Sequence, residues 1–217
     1  MKGLIKHNIY SMKDKLKLTL TINFTITLVL GIIGTIKPFA HTWLPVLVLA
    51  EIASFAIQSV STLQMDFKSK WNRFEITMPI RRKDIVKARY LYFVLYGLTG
   101  IGAALLTVVV FFFLQASINV ERVFFSLTFG AVLLLMVPAL MHPLLLILGI
   151  DKVETVLTIS MAIATTLYLG SATVFNYLVI NLTASDLIFR VLIIFVSSIL
   201  FILSYAISVQ LYKKKEL

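Results

Sequence analysis

The sequence predicts an all-α membrane protein with six transmembrane helices, an N-terminal interfacial amphipathic helix and one short cytoplasmic helix. Charged residues make up only 14% of the 217 residues, whereas soluble domains contain about 25%. The charges also separate long uncharged runs from one another. Each run is long enough to cross a bilayer, which takes roughly 18 to 20 apolar residues. Lipid offers no partner for free backbone groups, so these runs should be helices.

The six predicted spans follow these runs in order and form a single transmembrane domain over residues 1–217. The first run is too long for the apolar region of a cleavable signal, and no small-x-small site follows it, so we expect it to remain as a span. A single charge, Glu51, interrupts the second run. The spans are predicted near residues 18–36, 43–63, 91–114, 123–148, 155–176 and 188–210.

The distribution of Lys and Arg predicts that both termini face the cytoplasm. One side of the membrane receives 17 of them: five before span 1, eight between spans 2 and 3, one between spans 4 and 5, and three after span 6. The other side receives three. Cytoplasmic connections carry the excess of Lys and Arg in multi-pass proteins. Anchoring on anionic membrane lipid explains the net charge of +10, and no nucleic acid partner is needed.

Several function classes are excluded by what the sequence lacks. It contains no cysteine, which excludes a disulfide framework, a cysteine nucleophile and a thiolate metal site. It has no G-x-x-x-x-G-K-S/T or G-x-G-x-x-G motif, so this chain should not hydrolyse ATP or bind a dinucleotide by itself. Its longest segments outside the membrane are shorter than the roughly 50 residues of a small domain. We therefore predict no enzyme, and no catalytic, cofactor-binding or metal site.

The N-terminal segment, residues 1–17, has the periodicity of an amphipathic helix. Apolar residues recur on one face at spacings of four, three and four, and lysines occupy other faces. This pattern is typical of a helix that lies in the membrane interface. The alternative is a disordered basic leader. The apolar positions are Ile5, Ile9, Met12 and Leu16.

The connection between spans 2 and 3, residues 66–89, contains a second amphipathic pattern. Its apolar residues have the same spacing, and Lys and Arg lie between them. Pro79 should end this short helix, because a proline disfavours helical conformation in the residue before it. The helix either lies on the lipid headgroups or docks on a cytoplasmic partner, and periodicity alone does not decide between the two. Its stripe consists of Phe67, Trp71, Phe74 and Met78.

Residues 70–91 resemble the loop between spans 2 and 3 of ABC type-2 exporter permeases. In that family, a short helix is followed by leucine-proline, a basic cluster, an acidic residue and a Lys/Arg-Tyr pair that opens span 3. This sequence has methionine in place of the leucine before Pro79, and then the basic cluster, Asp84 and the Arg89-Tyr90 pair. The number of spans, the internal termini and the N-terminal amphipathic helix are also similar to that family.

The resemblance implies a permease of the bacterial cell membrane, paired with a second six-span permease, identical or related. It also implies a separately encoded ATPase that holds ATP and Mg²⁺ and receives the loop helix, as a coupling helix, in a groove. Compact members of the family export antimicrobial peptides, bacitracin-like antibiotics or cytolytic peptides such as phenol-soluble modulins. Many have a re-entrant outer helix pair between spans 5 and 6, for which residues 171–179 leave room. The implied ATPase-coupling residues are Phe67, Trp71, Phe74, Met78, Pro79, Arg81 and Arg82.

Span 2 contains the only charge well inside a predicted span. A charged side chain at the bilayer centre costs about 2.5–3.5 kcal/mol on insertion scales, so Glu51 should face protein or water. It either lines a translocation path together with polar residues on the same helix face, or is a protonated group hydrogen-bonded within the bundle. A stand-alone channel or ion-coupled transporter that uses Glu51 is the alternative function. The predicted path residues are Glu51, Ser54, Gln58 and Thr62.

Two further patterns are interpreted as structural. Gly100 and Ala104 are small residues four positions apart, which suits close helix packing. His142 lies between Pro138 and Pro143 in span 4, and these prolines should kink the helix. No second histidine lies in a span, so a metal-dependent intramembrane protease would lack its ligands.

Overall fold

The computed structural model of the chain describes residues 2–36, 40–69, 81–114, 118–178 and 185–214. These residues form six α-helices and one 3-10 turn, Ile150–Lys152. Five of the helices are long and apolar enough to cross a membrane, and α2 has a shorter apolar stretch, Thr42–Gln58. A multi-pass, all-helical protein is thus confirmed for the described residues, while the span in α2 stays a prediction. The helices are α1 (Lys2–Ile36), α2 (Ala40–Lys68), α3 (Arg82–Phe113), α4 (Val120–Leu148), α5 (Val153–Leu178) and α6 (Ser185–Lys214).

Local sequence explains where the helices begin and end. Asn119 precedes α4, and its side-chain Oδ1 accepts a hydrogen bond of 3.1 Å from the backbone N–H of Arg122, as an N-cap residue does. The same helix ends before Gly149, whose φ of 93° lies in the left-handed region that glycine adopts after helices. Helix α6 has Asp186 in its first turn and lysines in its last turn, which complements the helix dipole.

Helix α1 differs from the prediction for the N-terminal region. A single helix runs from Lys2 to Ile36, so residues 2–17 continue into the span and form no separate helix before it. Their location in the membrane interface stays a prediction. Sharp breaks in helices need a cause such as proline or glycine, and residues 13–20 contain neither. The candidate span within this helix is Lys13–Thr35, which starts before the predicted residue 18.

Two other helices extend further than predicted. Helix α2 continues to Lys68, so Phe67 lies in its last turn and not in a separate short helix. Helix α5 continues to Leu178, and its last turns occupy the residues that left room for a re-entrant outer helix. Residues 70–80 and 179–184 lie outside the described residues, so the coupling helix itself stays a prediction.

The chain divides into two compact units, and the first contains residues 2–62 and 91–131. The buried apolar side of α2 forms part of its core. Tyr92 and Tyr96 of α3 cluster with Phe55 of α2, and Leu16 of α1 packs against this cluster. The buried residues of α2 recur every three or four positions, as one face of a helix does: Leu44, Val48, Ile52 and Phe55.

Glycines allow the helices of the first unit to approach closely. A Cβ placed on Gly100 would lie 3.0 Å from Cβ of Phe55. A Cβ placed on Gly130 would lie 2.6 Å from Cδ1 of Ile52. Ala104, one turn beyond Gly100, is completely buried. The close packing predicted at Gly100 and Ala104 is therefore confirmed within this unit.

The second unit contains residues 63–90 and 132–217. Helix α5 buries one face in it, and the ring of Tyr168 lies 5.9 Å from that of Phe189 in α6. Large apolar side chains on α5, such as Ile163 and Val174, are exposed, so this helix also has an apolar face turned outward. The buried residues of α5 are Val153, Val156, Ser160, Ala164 and Tyr168.

Cysteine labelling tests the predicted orientation. A cysteine introduced at Ser69, which is exposed at the end of α2, should react with a membrane-impermeant thiol reagent only after the cells are opened. The reason is that the Lys and Arg excess places residues 66–89 in the cytoplasm. Glu121→Cys is the matched control, because Glu121 is exposed at the start of α4, on the predicted outer side, and should react in intact cells. Reaction of Ser69→Cys in intact cells would overturn the orientation.

Candidate functional site

Polar side chains of α1 pair with the polar stripe of α2 in the first unit. The three α1 residues are spaced by four positions, which places them on one helix face. Each bonds to a different residue of α2, and the order is reversed along the two helices. The pairs are Thr19–Gln58, Asn23–Ser54 at 3.3 Å and Thr27–Glu51 at 3.1 Å.

Glu51 lies at the centre of a buried group of oxygens from three helices. Its side chain is only 4% exposed. The carboxyl Oε1 accepts hydrogen bonds from Thr107 of α3 at 2.7 Å and from Thr27 of α1 at 3.1 Å, and the two hydroxyl oxygens are 3.0 Å apart. The second carboxyl oxygen, Oε2, is buried without a hydrogen-bond partner among the described residues. One carboxyl oxygen is thus fixed by two donors, and the other has an unused acceptor position.

The predicted path residues therefore lie against α1 as far as the structure describes them. Ser54 is half-buried, and its hydroxyl also donates to the carbonyl oxygen of Glu51 at 2.8 Å. Gln58 is half-buried, and the side chain of Thr62 lies outside the described part of the chain. Sequence reasoning missed Thr107 and the polar residues of α1, although a polar residue at every fourth position of an apolar span was a usable signal. A role of this stripe in a translocation path stays a prediction.

Most of the predicted coupling residues lie outside the described residues. Phe67 belongs to α2 by its backbone, and Arg81 is exposed directly before α3. Arg82 begins α3, and its Nη1 donates a hydrogen bond of 3.1 Å to the carbonyl oxygen of Lys213 in the last turn of α6. Carbonyls at a helix C-terminus lack an intrahelical donor, so this guanidinium ties the start of α3 to the end of α6. The coupling residues outside the described part are Trp71, Phe74, Met78 and Pro79.

Tyr90 connects three helices of the second unit. It lies on α3, two turns beyond Arg82, and is buried. Its hydroxyl oxygen is 2.7 Å from Oγ of Ser204 and 2.9 Å from Oγ of Ser208, both on α6. Its ring packs against that of His142 of α4, with ring centroids 4.5 Å apart and ring planes tilted by 30°. Sequence reasoning identified Tyr90 only as part of a motif and gave it no contact.

His142 is buried and lies beside a small cavity in the second unit. The cavity has a volume of about 20 Å³, which is room for about one water molecule. The lining combines apolar side chains of α3 and α4 with polar ones from all three helices. The polar lining residues are Arg89, Tyr90, His142, Ser208 and Tyr212.

The sequence matches a known family over nearly its whole length. Residues 3–213 correspond to the family described as ABC-2 family transporter protein. The chain belongs to the ABC-2 transporter family. Membership of the ABC-2 family makes it a membrane permease component of an ABC transporter and implies association with an ABC ATPase. No curated protein and no solved structure matches this ABC-2 chain.

Two buried polar groups are the candidate functional residues of this ABC-2 permease. The first is the Glu51 group, in which three helices of the first unit meet at a carboxyl. The second is the Tyr90 group, in which three helices of the second unit meet at a phenol. The segment that follows α2 leads directly to α3, on which Tyr90 lies.

Proposed function

We propose that the chain is the transmembrane permease subunit of an ATP-driven exporter in the bacterial cell membrane. Its substrates would be amphipathic peptides, or peptide-like and lipophilic toxins. The observation that carries the proposal is the family match over residues 3–213, in a chain without a nucleotide-binding motif of its own. A separate ATPase subunit therefore supplies the energy. The resemblance of residues 70–91 to exporter loops supports transport in the outward direction.

The short outer connections support an amphipathic substrate. On the proposed outer side, α3 and α4 are joined by the residues between Phe113 and Val120, and α5 and α6 by those between Leu178 and Ser185. Such connections are too short to form a domain that captures a soluble ligand. Amphipathic peptides concentrate in the membrane interface by themselves. A permease can take them from the membrane without a capturing domain.

Reconstitution tests this proposal. The chain would be co-expressed with a P-loop ATPase encoded beside it, purified through a tag on the permease, and assayed in inverted vesicles with a fluorescent amphipathic helical peptide. We expect the ATPase to copurify and ATP to drive the peptide into the vesicles, with two identical or related permeases in the complex. An ATPase variant without its P-loop lysine is the control, because it should copurify but not transport. An ATPase that does not copurify would contradict the proposal.

A stand-alone ion-coupled transporter is the second candidate, and the Glu51 group favours it. A buried intramembrane carboxyl with an unused acceptor position is the kind of residue that binds a proton or cation in transporters. The two functions differ in their energy source. Transport that stops with a protonophore and continues without ATP would favour the ion-coupled function, whereas the exporter function requires the opposite result.

We predict that Glu51→Gln lowers transport by about tenfold without lowering the amount of protein in the membrane. Glutamine keeps the size of the side chain and can still accept hydrogen bonds from Thr27 and Thr107, but the charge is lost. A hydrogen bond from a cationic substrate group to the carboxylate would be worth about 1.5–3 kcal/mol, so its loss is enough for an effect of this size. Glu154→Gln, at an exposed carboxylate in α5, is the control and should transport normally. If Glu51→Gln transports every substrate at the normal rate, Glu51 serves only packing.

A further inference from the structure

A serine of α6 supplies a hydrogen-bond donor that a proline removes from α4. In an α-helix, the carbonyl of each residue accepts a hydrogen bond from the N–H four positions later. Pro143 has no N–H, so the carbonyl oxygen of Ala139 lacks this donor. Ala139 is only 7% exposed, which makes an unpaired carbonyl costly in lipid. The hydroxyl of Ser204 donates a hydrogen bond to this carbonyl oxygen from α6.

This bond fixes the direction of the hydrogen bonds around Tyr90. A serine hydroxyl has one hydrogen, and Ser204 gives it to Ala139. The contact of 2.7 Å between Ser204 and Tyr90 then requires the phenol to donate. Since the phenol also has one hydrogen, Ser208 must donate in the contact of 2.9 Å to Tyr90. The result is a directed chain from Ser208 through Tyr90 and Ser204 to the backbone of α4.

Aromatic side chains of α4 and α6 surround the ring of Tyr90. The ring centroids of Phe201 and Tyr205 lie 5.1 Å and 5.5 Å from that of Tyr90, and the ring of His142 packs against it from α4. Aromatic pairs at such distances add roughly 0.5–1.5 kcal/mol each beyond the burial of their area. The start of α3 therefore cannot move without displacing α6 and α4 or breaking this chain.

We infer that Tyr90 is a positioning residue that transmits movement of the segment between α2 and α3 to helices α4 and α6. The inference rests on the proposed function, in which that segment is moved by an ATPase. Tyr90 lies about 12 Å along α3 from Arg82, at 1.5 Å per residue, and an α-helix carries displacement over this distance as a rigid element. When α3 shifts, the buried hydrogen bonds from Tyr90 through Ser204 to Ala139 shift α4 near Pro143.

Three variants of the purified permease–ATPase complex test the role of Tyr90. Tyr90→Phe keeps the ring and removes the hydroxyl, so it should bind the ATPase and hydrolyse ATP within about twofold of the wild type. The amount of peptide transported per ATP should fall by about tenfold, as the loss of a buried hydrogen bond of about 1.4 kcal/mol would give. Ser204→Ala should have the same effect. Ser197→Ala is the matched control, because the buried hydroxyl of Ser197 donates to the carbonyl oxygen of Ile193 in its own helix, α6, and its transport per ATP should change less than about twofold.

A double variant separates this role from a merely structural one. Ser204→Ala leaves the Ala139 carbonyl without a donor, so it should also lower thermal stability. Adding Pro143→Ala restores the N–H within α4, and the double variant should recover stability. It should not recover transport per ATP, since the connection to α6 is still missing. Recovery of both properties, or normal transport per ATP in Tyr90→Phe, would overturn the inference while leaving the exporter function intact. Failure of the wild type to bind an ATPase would overturn both.

Discussion

Trp71→Ala should reduce the affinity of the permease for its ATPase by about thirtyfold, and Phe74→Ala should do nearly the same. Buried aromatic residues are the usual hot spots of protein interfaces, and truncating one costs about 2 kcal/mol or more, which corresponds to roughly thirtyfold in affinity. A docking helix of about ten residues has few such anchors. Both residues lie between α2 and α3, outside the predicted spans, so membrane insertion should be normal. Pulldown of the ATPase from membranes with wild type and variants measures the effect.

The control for this experiment is an aromatic residue that is exposed elsewhere. Phe113 is 78% exposed and lies at the opposite end of α3 from Arg82. Phe113→Ala should therefore recover the ATPase at the wild-type level. The competing interpretation is that the aromatic stripe only anchors the segment on the membrane surface. Equal recovery of the ATPase by Trp71→Ala, with substrate-stimulated ATP hydrolysis intact, would establish that interpretation and remove the coupling role.

Gly100→Leu should strongly destabilise the first unit, whereas Gly102→Leu on the same helix should be tolerated. A Cβ placed on Gly100 lies 3.0 Å from Cβ of Phe55 and 3.3 Å from two of its ring carbons. Phe55 is itself fixed in the cluster with Tyr92 and Tyr96, so it cannot withdraw. Overpacking of this kind costs typically 1–3 kcal/mol, occasionally more. We expect a lower melting temperature in detergent and less protein in the membrane.

Gly102→Leu is the matched control for Gly100→Leu. Apart from the adjoining residues and backbone of α3 itself, no atom of the described residues lies within 4 Å of a Cβ placed on Gly102. Both substitutions raise helix propensity by a similar amount and both add the same apolar side chain to α3. A difference between them therefore measures the contact with Phe55. Equal stability of Gly100→Leu and the wild type would show that α2 and α3 do not pack in this way.

The helices were predictable because the physical limits on a membrane span are strict. An apolar run must be long enough for the bilayer and must be helical, so the run after Asp186 could hardly be anything other than a span, and α6 is the result. The predicted boundary between the interfacial helix and span 1 does not appear as a break in α1. Charge marks where a span leaves lipid, but a helix ends only where its backbone is interrupted, and Lys13 to Leu20 contains no such residue.

The partners of polar residues were not predictable from the sequence. Pro143 implies an unsatisfied carbonyl at Ala139, and that much follows from the sequence alone. Which hydroxyl donates to this carbonyl depends on how α4 and α6 are rotated against each other, and the two bonded residues are 65 positions apart in the sequence. From the sequence alone, other serines of α6 could have been the donor as well as Ser204. The same uncertainty applies to Glu51, since its contact with Thr107 joins residues 56 positions apart.

The unbroken length of α1 has a consequence for what surrounds its first turns. Its 35 residues make a rod of about 52 Å at 1.5 Å per residue, whereas a bilayer is about 30 Å thick in its hydrocarbon core and about 40–45 Å with its headgroups. If Lys13–Thr35 crosses the membrane, residues 2–12 add about 16 Å on the predicted cytoplasmic side, more than the roughly 5–8 Å depth of one headgroup layer. The tip of this rod would then stand in water beyond the lipid, so a protein approaching the permease from the predicted cytoplasmic side would meet a projecting, lysine-bearing helix end before it meets the membrane.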